Sequence, residues 1–349
     1  TTTGSSGQVK TSVGDQLPVA QFKDLRSSID ADYGMPVGRL VTATVGGHLS
    51  HEKDYDSRGF NGSVAVDLLQ RLFTVTVGGS RNHDTSSPIG GTHVPLTDGS
   101  TLLSTSPQAK DVNSLMFGLS HVMTRRWLLG VSWSRTWEHG ALTEPYKVLS
   151  VVDGEGTPVS ILTEKRPDSR ARRSIQVNSV QNIAGDVTRV SYRDYRDDWG
   201  VHSGTFDLEY RHDLDEKSWF EPHVRYYKQT AASFFTWGMV EGHRLPAYAS
   251  SDYRLGPLRT LTLGATYGFH LFDDPGSMYV RAEYISQYGD GKPSGAILNQ
   301  LLRRRLLRLD RPEGVKKKQA KFVPTPRFLE LFGLSDLDDL PRVQDVEPR

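Results

Sequence analysis

Along most of this chain apolar and polar residues alternate with a period of two, and the alternating stretches arrive in pairs joined by tight turns. In Trp127-Leu-Leu-Gly-Val-Ser-Trp-Ser-Arg-Thr-Trp137, one face carries Trp127, Leu129, Val131 and Trp133 and ends at Trp137. The other carries Gly130, Ser132, Ser134 and Thr136. Successive side chains of a strand point to opposite sides, so the two sets face apart. Ten steps of strand cover roughly 33 Å, and a tilt of about 40° leaves roughly 25 Å along a membrane normal, the height of the apolar band of a barrel wall. The segment predicts a wall with lipid on one side, water on the other and a tryptophan at each rim.

About twelve strands are expected, in six pairs. The first pair runs near Phe22 to Tyr33 and Gly38 to Leu49 around a turn at Met35-Pro-Val-Gly38; Leu25, Ile29, Ala31 and Tyr33 oppose Asp24, Arg26, Ser28, Asp30 and Asp32. The second is Phe60 to Leu69 with Leu72 to Asn82, and the third Val112 to Met123 with Trp127 to Trp137 around Thr124-Arg-Arg126. A weaker fourth pair covers Ser174 to Val180 and Val187 to Arg196. In the fifth, Phe206, Leu208 and Tyr210 oppose Asp207, Glu209 and Arg211, and the return strand carries Phe220, Pro222, Val224 and Tyr226. The sixth sets Leu261, Leu263, Ala265, Tyr267 and Phe269 against Thr260, Thr262, Gly264, Thr266 and Gly268, then returns after Asp273-Asp-Pro-Gly276 through Met278, Val280, Ala282 and Tyr284.

Connections within pairs are short and those between pairs are long, as in His83 to Asp111, Glu138 to Arg173 and Gln229 to Leu258, with only Asp197 to His202 brief. Short turns on one rim and long loops on the other are the periplasmic and extracellular ends of bacterial barrels. With the short turns periplasmic, the first strand enters from outside and the twelfth leaves outside, so a further strand is expected at each end and about fourteen in the complete barrel. Without them two edges stay open, at several kcal/mol for each unpaired backbone group in hydrocarbon.

Composition changes this picture little. A mean hydropathy of −0.47 and 36% hydrophobic residues resemble a soluble protein, but alternation hides a lipid-facing surface from window averages. No run of about 18 apolar residues is present, which excludes a helical span. Cysteine is absent, removing disulfides, thiolate catalysis and cysteine-ligated metal. The net charge of +1 gives no global attraction to nucleic acid or anionic lipid. The opening Thr-Thr-Thr-Gly-Ser-Ser-Gly lacks the regions of a signal peptide, as expected of a cleaved chain or a fragment.

Glu144-Pro-Tyr-Lys-Val-Leu-Ser-Val-Val152, Glu164-Lys-Arg-Pro-Asp-Ser-Arg-Ala-Arg-Arg173 and Tyr192-Arg-Asp-Tyr-Arg-Asp-Asp-Trp-Gly-Val-His202 carry a resemblance, over about residues 20 to 290, to the domain-of-unknown-function 3570 family of Gram-negative outer-membrane barrels. It continues in Val224-Arg-Tyr-Tyr-Lys-Gln-Thr-Ala-Ala-Ser-Phe-Phe235 and Ser251-Asp-Tyr-Arg-Leu-Gly256, and His51-Glu-Lys-Asp-Tyr-Asp-Ser-Arg-Gly59 looks like the family's first acidic and aromatic loop. The resemblance implies an outer-membrane location. Beyond Gly291, Ala296 to Leu309 has helical spacing and Asp310 to Lys321 reads as a charged hairpin. Thr325-Pro-Arg-Phe-Leu-Glu-Leu-Phe-Gly-Leu334, followed by Leu337-Asp-Asp-Leu-Pro341, resembles the end of segregation and condensation protein B, a winged-helix partner of condensin complexes. The expected organisation is therefore a flexible segment 1–20, an antiparallel transmembrane β-barrel over 21–290 and a short α/β, winged-helix-like tail over 291–349. The join at Lys292-Pro-Ser294 reads as a fusion or a misassembled reading frame.

Candidate chemistry is sparse. Asp207, Glu209, Arg211, Glu221, Arg225, Arg281 and Glu283 face inward, where they line a pore or pair with one another in a plugged interior. In the tract Arg166-Pro-Asp168-Ser-Arg170-Ala-Arg172-Arg173, with Arg189, Arg193 and Arg196 nearby, the guanidinium groups either grip phosphate or lipopolysaccharide headgroups or pair with Asp194, Asp197 and Asp198. Trp127, Trp133, Trp137, Tyr210, Tyr226 and Tyr267 are the expected lipid-interface aromatics. The histidines show no His-Glu-x-x-His spacing, Asp54 to Gly59 lacks the ligands of a calcium loop, and no nucleophile elbow marks a hydrolase. No cofactor, metal or catalysis is expected. The expected partners are outer-membrane lipid, lipopolysaccharide and periplasmic proteins. Lys316-Lys-Lys318 and Arg303-Arg-Arg305 would serve nucleic acid or a condensin partner through the tail.

Overall fold

The computed structural model describes residues 25–153, 158–270, 277–288, 307–310 and 321–324. Twelve long strands form one continuous antiparallel sheet in chain order. They are β1 (Ser27–Val37), β2 (Val41–His51), β3 (Tyr55–Leu68), β4 (Phe73–Ser86), β5 (Gln108–Thr124), β6 (Trp127–Gly140), β7 (Ser169–Ile183), β8 (Asp186–Asp197), β9 (His202–Asp213), β10 (Ser218–Gln229), β11 (Leu258–His270) and β12 (Ser277–Tyr288). Every neighbour pairs with the next in sequence, and among the described residues β1 and β12 are the sheet's two outer strands.

The two faces are inverted relative to a soluble protein. On β11, Leu263 and Tyr267 are 46% and 47% exposed, whereas Thr262 and Thr266 on the opposite face are 7% and 8% exposed. The same holds around the sheet: Leu49, Phe60, Val77, Phe117, Ile175, Phe206 and Tyr226 are exposed, while Ser50, Asp84, Ser174, Ser203 and His223 are buried. Apolar residues left bare and polar residues sequestered are the construction of a transmembrane barrel wall. The sandwich alternative would bury the leucines against a second sheet, and no such sheet packs there among the described residues.

Strand boundaries differ from the expected ones where proline or a local turn decides. The first strand runs through Met35 and Pro36, and the turn is Gly38-Arg39-Leu40, with Gly38 at φ +75°. Proline is tolerated there because β1 is an outer strand, with one side unpaired among the described residues. Residues 51–59 are not a loop: only Glu52, Lys53 and Asp54 link β2 to β3. The weak fourth pair is a regular hairpin, β7 with β8, turning at Ala184 and Gly185 with φ of 56° and 107°, the left-handed pair that suits a two-residue turn. Pro222 is internal to β10, and the β9–β10 ladder lacks its pairs between Glu209 and His212, as a residue without an N–H requires.

The N-terminal segment 1–20, the Asp273–Gly276 turn and most of the tail lie outside the described residues. Leu307–Asp310 pairs antiparallel with Lys321–Pro324 around the charged stretch, so Leu307 to Leu309 are strand and not the end of a helix.

Candidate functional site

The strand order fixes two rims. Turns at 38–40, 69–72, 125–126, 184–185 and 214–217 share one; connections 52–54, 87–107, 141–168, 198–201 and 230–257 share the other. At the long-loop rim the connections join into one assembly. The β6–β7 and β10–β11 connections build a small sheet in which Val148–Val152 lies between Pro158–Thr163 and Met239–Val240. Lys165 and Ala249 exchange both backbone hydrogen bonds at 2.9 Å. The β4–β5 connection joins through Thr163, whose N–H donates to the Thr97 carbonyl at 2.8 Å. Tyr146 donates its hydroxyl to Asp54 and accepts from the Ile89 N–H at 3.0 Å. The assembly therefore reaches from the β2–β3 turn to the β10–β11 connection.

Two clusters hold it. One is apolar: Trp199, Val201, Ala232 and Leu255 pack with Leu142, Phe234 and Phe235, and the Trp199 indole donates to the Ser169 carbonyl at 2.8 Å. The other is ionic and buried. Arg166 Nε lies 2.6 Å from Glu164 Oε1, and its Nη2 donates to Asp252 Oδ2 at 2.9 Å. Glu164 also accepts from Ser250 Oγ at 2.5 Å and from the Glu144 N–H at 2.9 Å. Asp252 accepts from Arg254 Nη2 at 2.6 Å and from the Arg254 N–H at 3.1 Å. Burial raises the Glu164 carboxyl above its usual range, with Arg166 and Ser250 working against that rise. Burial pushes Asp252 the same way, but the Arg254 hydrogen bonds and the two nearby guanidinium charges prevail and hold it down at about 2. Burial and the hydrogen bond to Asp54 raise the Tyr146 phenol.

On the polar face of β9 to β12 a second group converges. Asp207 pairs across from Arg225 and Glu209 from His223. His223 Nε2 lies 3.1 Å from Asp207 Oδ2 and its Nδ1 2.9 Å from Glu283 Oε1, which also accepts from Arg281 at 2.6 Å. Glu283 crosses β11 to reach His223 because the residue between them is Gly264, where a Cβ would lie 2.9 Å from the Glu283 Cγ. Ligand atoms of Asp207, Glu209 and His223 lie within 4.8 Å of one another, a hard-oxygen and imidazole set that could hold a divalent cation. No spacing in the sequence signals it, since the three residues come from two strands.

A family model described as a protein of unknown function, DUF3570, matches residues 1–302. The chain belongs to the DUF3570 family. The match runs past residue 290 and through the Lys292-Pro-Ser294 junction, so that junction is not the end of the family region. No curated protein matches the chain. Among solved structures, the siderophore receptor PirA of Acinetobacter baumannii is 8% identical with a TM-score of 0.47 over 71% of this chain and 41% of that one. The ferric enterobactin receptor PfeA of Pseudomonas aeruginosa is 9% identical with a TM-score of 0.46 over 75% and 42%. BamA of Haemophilus ducreyi is 9% identical with a TM-score of 0.39 over 76% and 58%. This chain spans about two fifths to three fifths of the length of these structures.

The DUF3570 motifs supply most of the rim assembly. Tyr146, Glu164, Arg166, Trp199, Asp252 and Arg254 all lie in stretches that carried the resemblance, but the 86-residue separation between Arg166 and Asp252 hid their pairing. The expected charged cluster does not form one site. Arg166 belongs to the rim, and Arg170 is bound to Asp197 at 2.5 Å with its guanidinium over Trp199 at 4.3 Å. The Asp168 carbonyl accepts from the Gly140 N–H at 2.8 Å, and the Asp198 carboxylate accepts from the Ala171 N–H at 3.0 Å. Arg193 donates to Ser174 on the polar face at 2.8 Å, and Glu209, Arg211 and Arg225 share that face. Asp194 does not: it lies on the apolar face, paired with Arg196 at 3.2 Å and His202 at 2.6 Å. Strand parity separates it from Arg193, its chain neighbour. Of the expected interface aromatics, Trp137, Tyr210, Tyr226 and Tyr267 are exposed on the apolar face. Trp127 and Trp133 are half-buried there.

Proposed function

We propose that this chain is an outer-membrane β-barrel protein that acts without catalysis, as a channel, transport or surface-assembly component whose long-loop rim faces outward. One observation carries the membrane reading: the sheet exposes Leu263 and Tyr267 and buries Thr262 and Thr266. A solvated sheet in that arrangement would leave a large apolar patch in water, which monomeric soluble proteins avoid. The rim assembly supports a role at the mouth, because loops tied together by a buried ionic cluster form a fixed cover. The polar face, with both signs of charge around His223, supports a hydrated interior. Outer-membrane fractionation of the expressed protein, with a gel mobility that shifts on heating in detergent, tests this reading. Recovery in the soluble fraction with no heat-dependent shift would overturn it. Planar-bilayer conductance before and after cleavage of the 230–257 connection tests the cover, with larger currents expected after cleavage.

A further inference from the structure

The apolar face carries a row of cations just below the long-loop rim. Arg173 on β7 lies directly opposite Arg135 on β6 and Arg196 on β8. Arg196 lies opposite His202 on β9, and Lys228 on β10 lies opposite Arg259 on β11. Six consecutive strands thus each contribute a basic residue to this row, and all six are exposed. Immediately toward the middle of the wall the same face is apolar or aromatic on four of them, at Trp133, Ile175, Tyr226 and Leu261, and on β9 Gly204 precedes Phe206. On the sixth, Asp194 intervenes before Tyr192.

Only part of this row has a carboxylate partner on the wall. Among the described residues of these six strands, the apolar face carries a carboxylate at Asp194, which serves Arg196 and His202, and another at Asp186 beside the opposite rim. Arg135 stacks on the Trp137 ring at 5.1 Å, which leaves its charge uncompensated. Arg173 and Lys228 have no hydrogen bond or ion pair among the described residues. Like charges directly across a ladder are destabilising, so three arginines side by side cost the sheet stability unless something anionic meets them. A cation on the lipid-facing side is tolerated near the interface and not at the midplane.

We propose that this row binds the phosphate groups of lipid in the leaflet level with the long-loop rim, the phosphorylated glucosamine headgroup of lipid A. The inference rests on the membrane reading above and deepens it. The guanidinium fork matches phosphate oxygens in bidentate fashion and is less strongly hydrated than an ammonium. Adjacent strands are about 4.8 Å apart, so neighbouring arginines of the row can engage one phosphate together while the aromatic and aliphatic residues below contact the acyl chains. The same register divides the Arg166–Arg196 tract. Arg170, Arg172, Arg189 and Arg193 turn to the polar face, where Arg172 pairs with Glu138 and Arg189 with Glu221; only Arg173 and Arg196 turn to lipid.

The test is lipid retention by the full-length protein purified in detergent, read by native mass spectrometry. Bisphosphorylated lipid A, its form lacking both phosphates, and zwitterionic phosphatidylcholine are the probes. Wild type is expected to retain the bisphosphorylated form, and a variant carrying Arg135→Gln, Arg173→Gln and Arg196→Gln to retain it at least about tenfold less, each charged hydrogen bond contributing on that order. Lys217→Gln, at the opposite rim, should retain it like wild type. Equal retention by wild type and the triple variant, or equal retention with and without the lipid's phosphates, overturns the inference. Displacement of lipid A by inorganic phosphate at matched ionic strength assigns the row to free phosphate and overturns it as well. Failure of the wild type to show heat-dependent mobility would instead remove the membrane reading, so the two failures are distinguishable.

Discussion

Gly268 lies beneath the indole of Trp219: a Cβ at position 268 would stand 2.1 Å from the Trp219 Cζ2. Their strands, β10 and β11, put the two residues directly opposite, and the glycine gives the ring a floor on the buried polar face. The Arg211 guanidinium lies over the same ring at 4.3 Å. Gly268→Val should push the indole away from the wall and break the stack, at a cost of about 1–3 kcal/mol as for other overpacked sites. Tryptophan emission, taken as the difference from a Trp219→Phe background, is expected to move to longer wavelength. An unchanged difference spectrum would show that the indole does not rest on this glycine.

Leu263 is exposed at the middle of β11, between Val224 on β10 and Tyr284 on β12. In water Leu263→Arg would be harmless or would improve solubility. In a bilayer an arginine at the midplane of a barrel wall costs about 2–4 kcal/mol. The expected outcome is a lower folded fraction in reconstitution, measured by heat-dependent gel mobility, with Leu263→Phe behaving as wild type. If the arginine variant folds into vesicles as well as wild type does, this face does not meet hydrocarbon.

These two residues also mark what the sequence could and could not convey. The inversion at Leu263 was legible because strand parity is local: alternation within five residues assigns each side chain to a face. The same rule gave the six hairpins and the long and short rims. It failed at Pro36 and at Tyr55 to Gly59, where proline and acidic residues read as turn or loop yet lie in strands. An outer strand accepts the one, and Asp56 stands exposed beside the long-loop rim, paired with His51 at 2.6 Å. Contacts between distant connections were not legible, because nothing in Glu164-Lys-Arg166 indicates that its partner is Asp252. The outward row of arginines stayed hidden for a related reason. Arg135, Arg173 and Arg196 become neighbours only when two registers are known together.

Among the described residues, Arg166 is the single cation touching both Glu164 and Asp252 in the rim assembly. Arg166→Met leaves the two carboxylates buried with Arg254 reaching only Asp252, and removing one partner of a buried pair costs about 3–5 kcal/mol. The connections should then separate, and trypsin is expected to cut intact cells at Arg244, which is exposed in the 230–257 connection, faster than in wild type. Arg166→Lys should recover only part of the resistance, since an ammonium lacks the fork that contacts both acids. Equal cleavage rates in wild type and Arg166→Met would mean that the ionic cluster does not hold the loops together.

The two acids of this cluster respond to pH in opposite directions. Asp252 has a depressed carboxyl, from 3.8 to about 2, so its contribution to holding the loops is present above about 4 and is lost as pH falls toward 2. Glu164 is raised above 4.5 by burial, so its ionised form is less favoured in the folded rim than in the unfolded chain. It takes up a proton there before the unfolded chain would, and acidification from neutral pH toward 4.5 therefore favours the assembled loops through Glu164 while leaving Asp252 charged. Loop resistance to an acid-stable protease such as pepsin should hold or rise between pH 5 and about 4, then collapse near about 2. In Glu164→Gln the rise should vanish while the collapse near about 2 remains, because Asp252 still loses its charge there. Resistance that instead falls steadily from neutral pH to about 4 would place the controlling carboxylate outside this cluster.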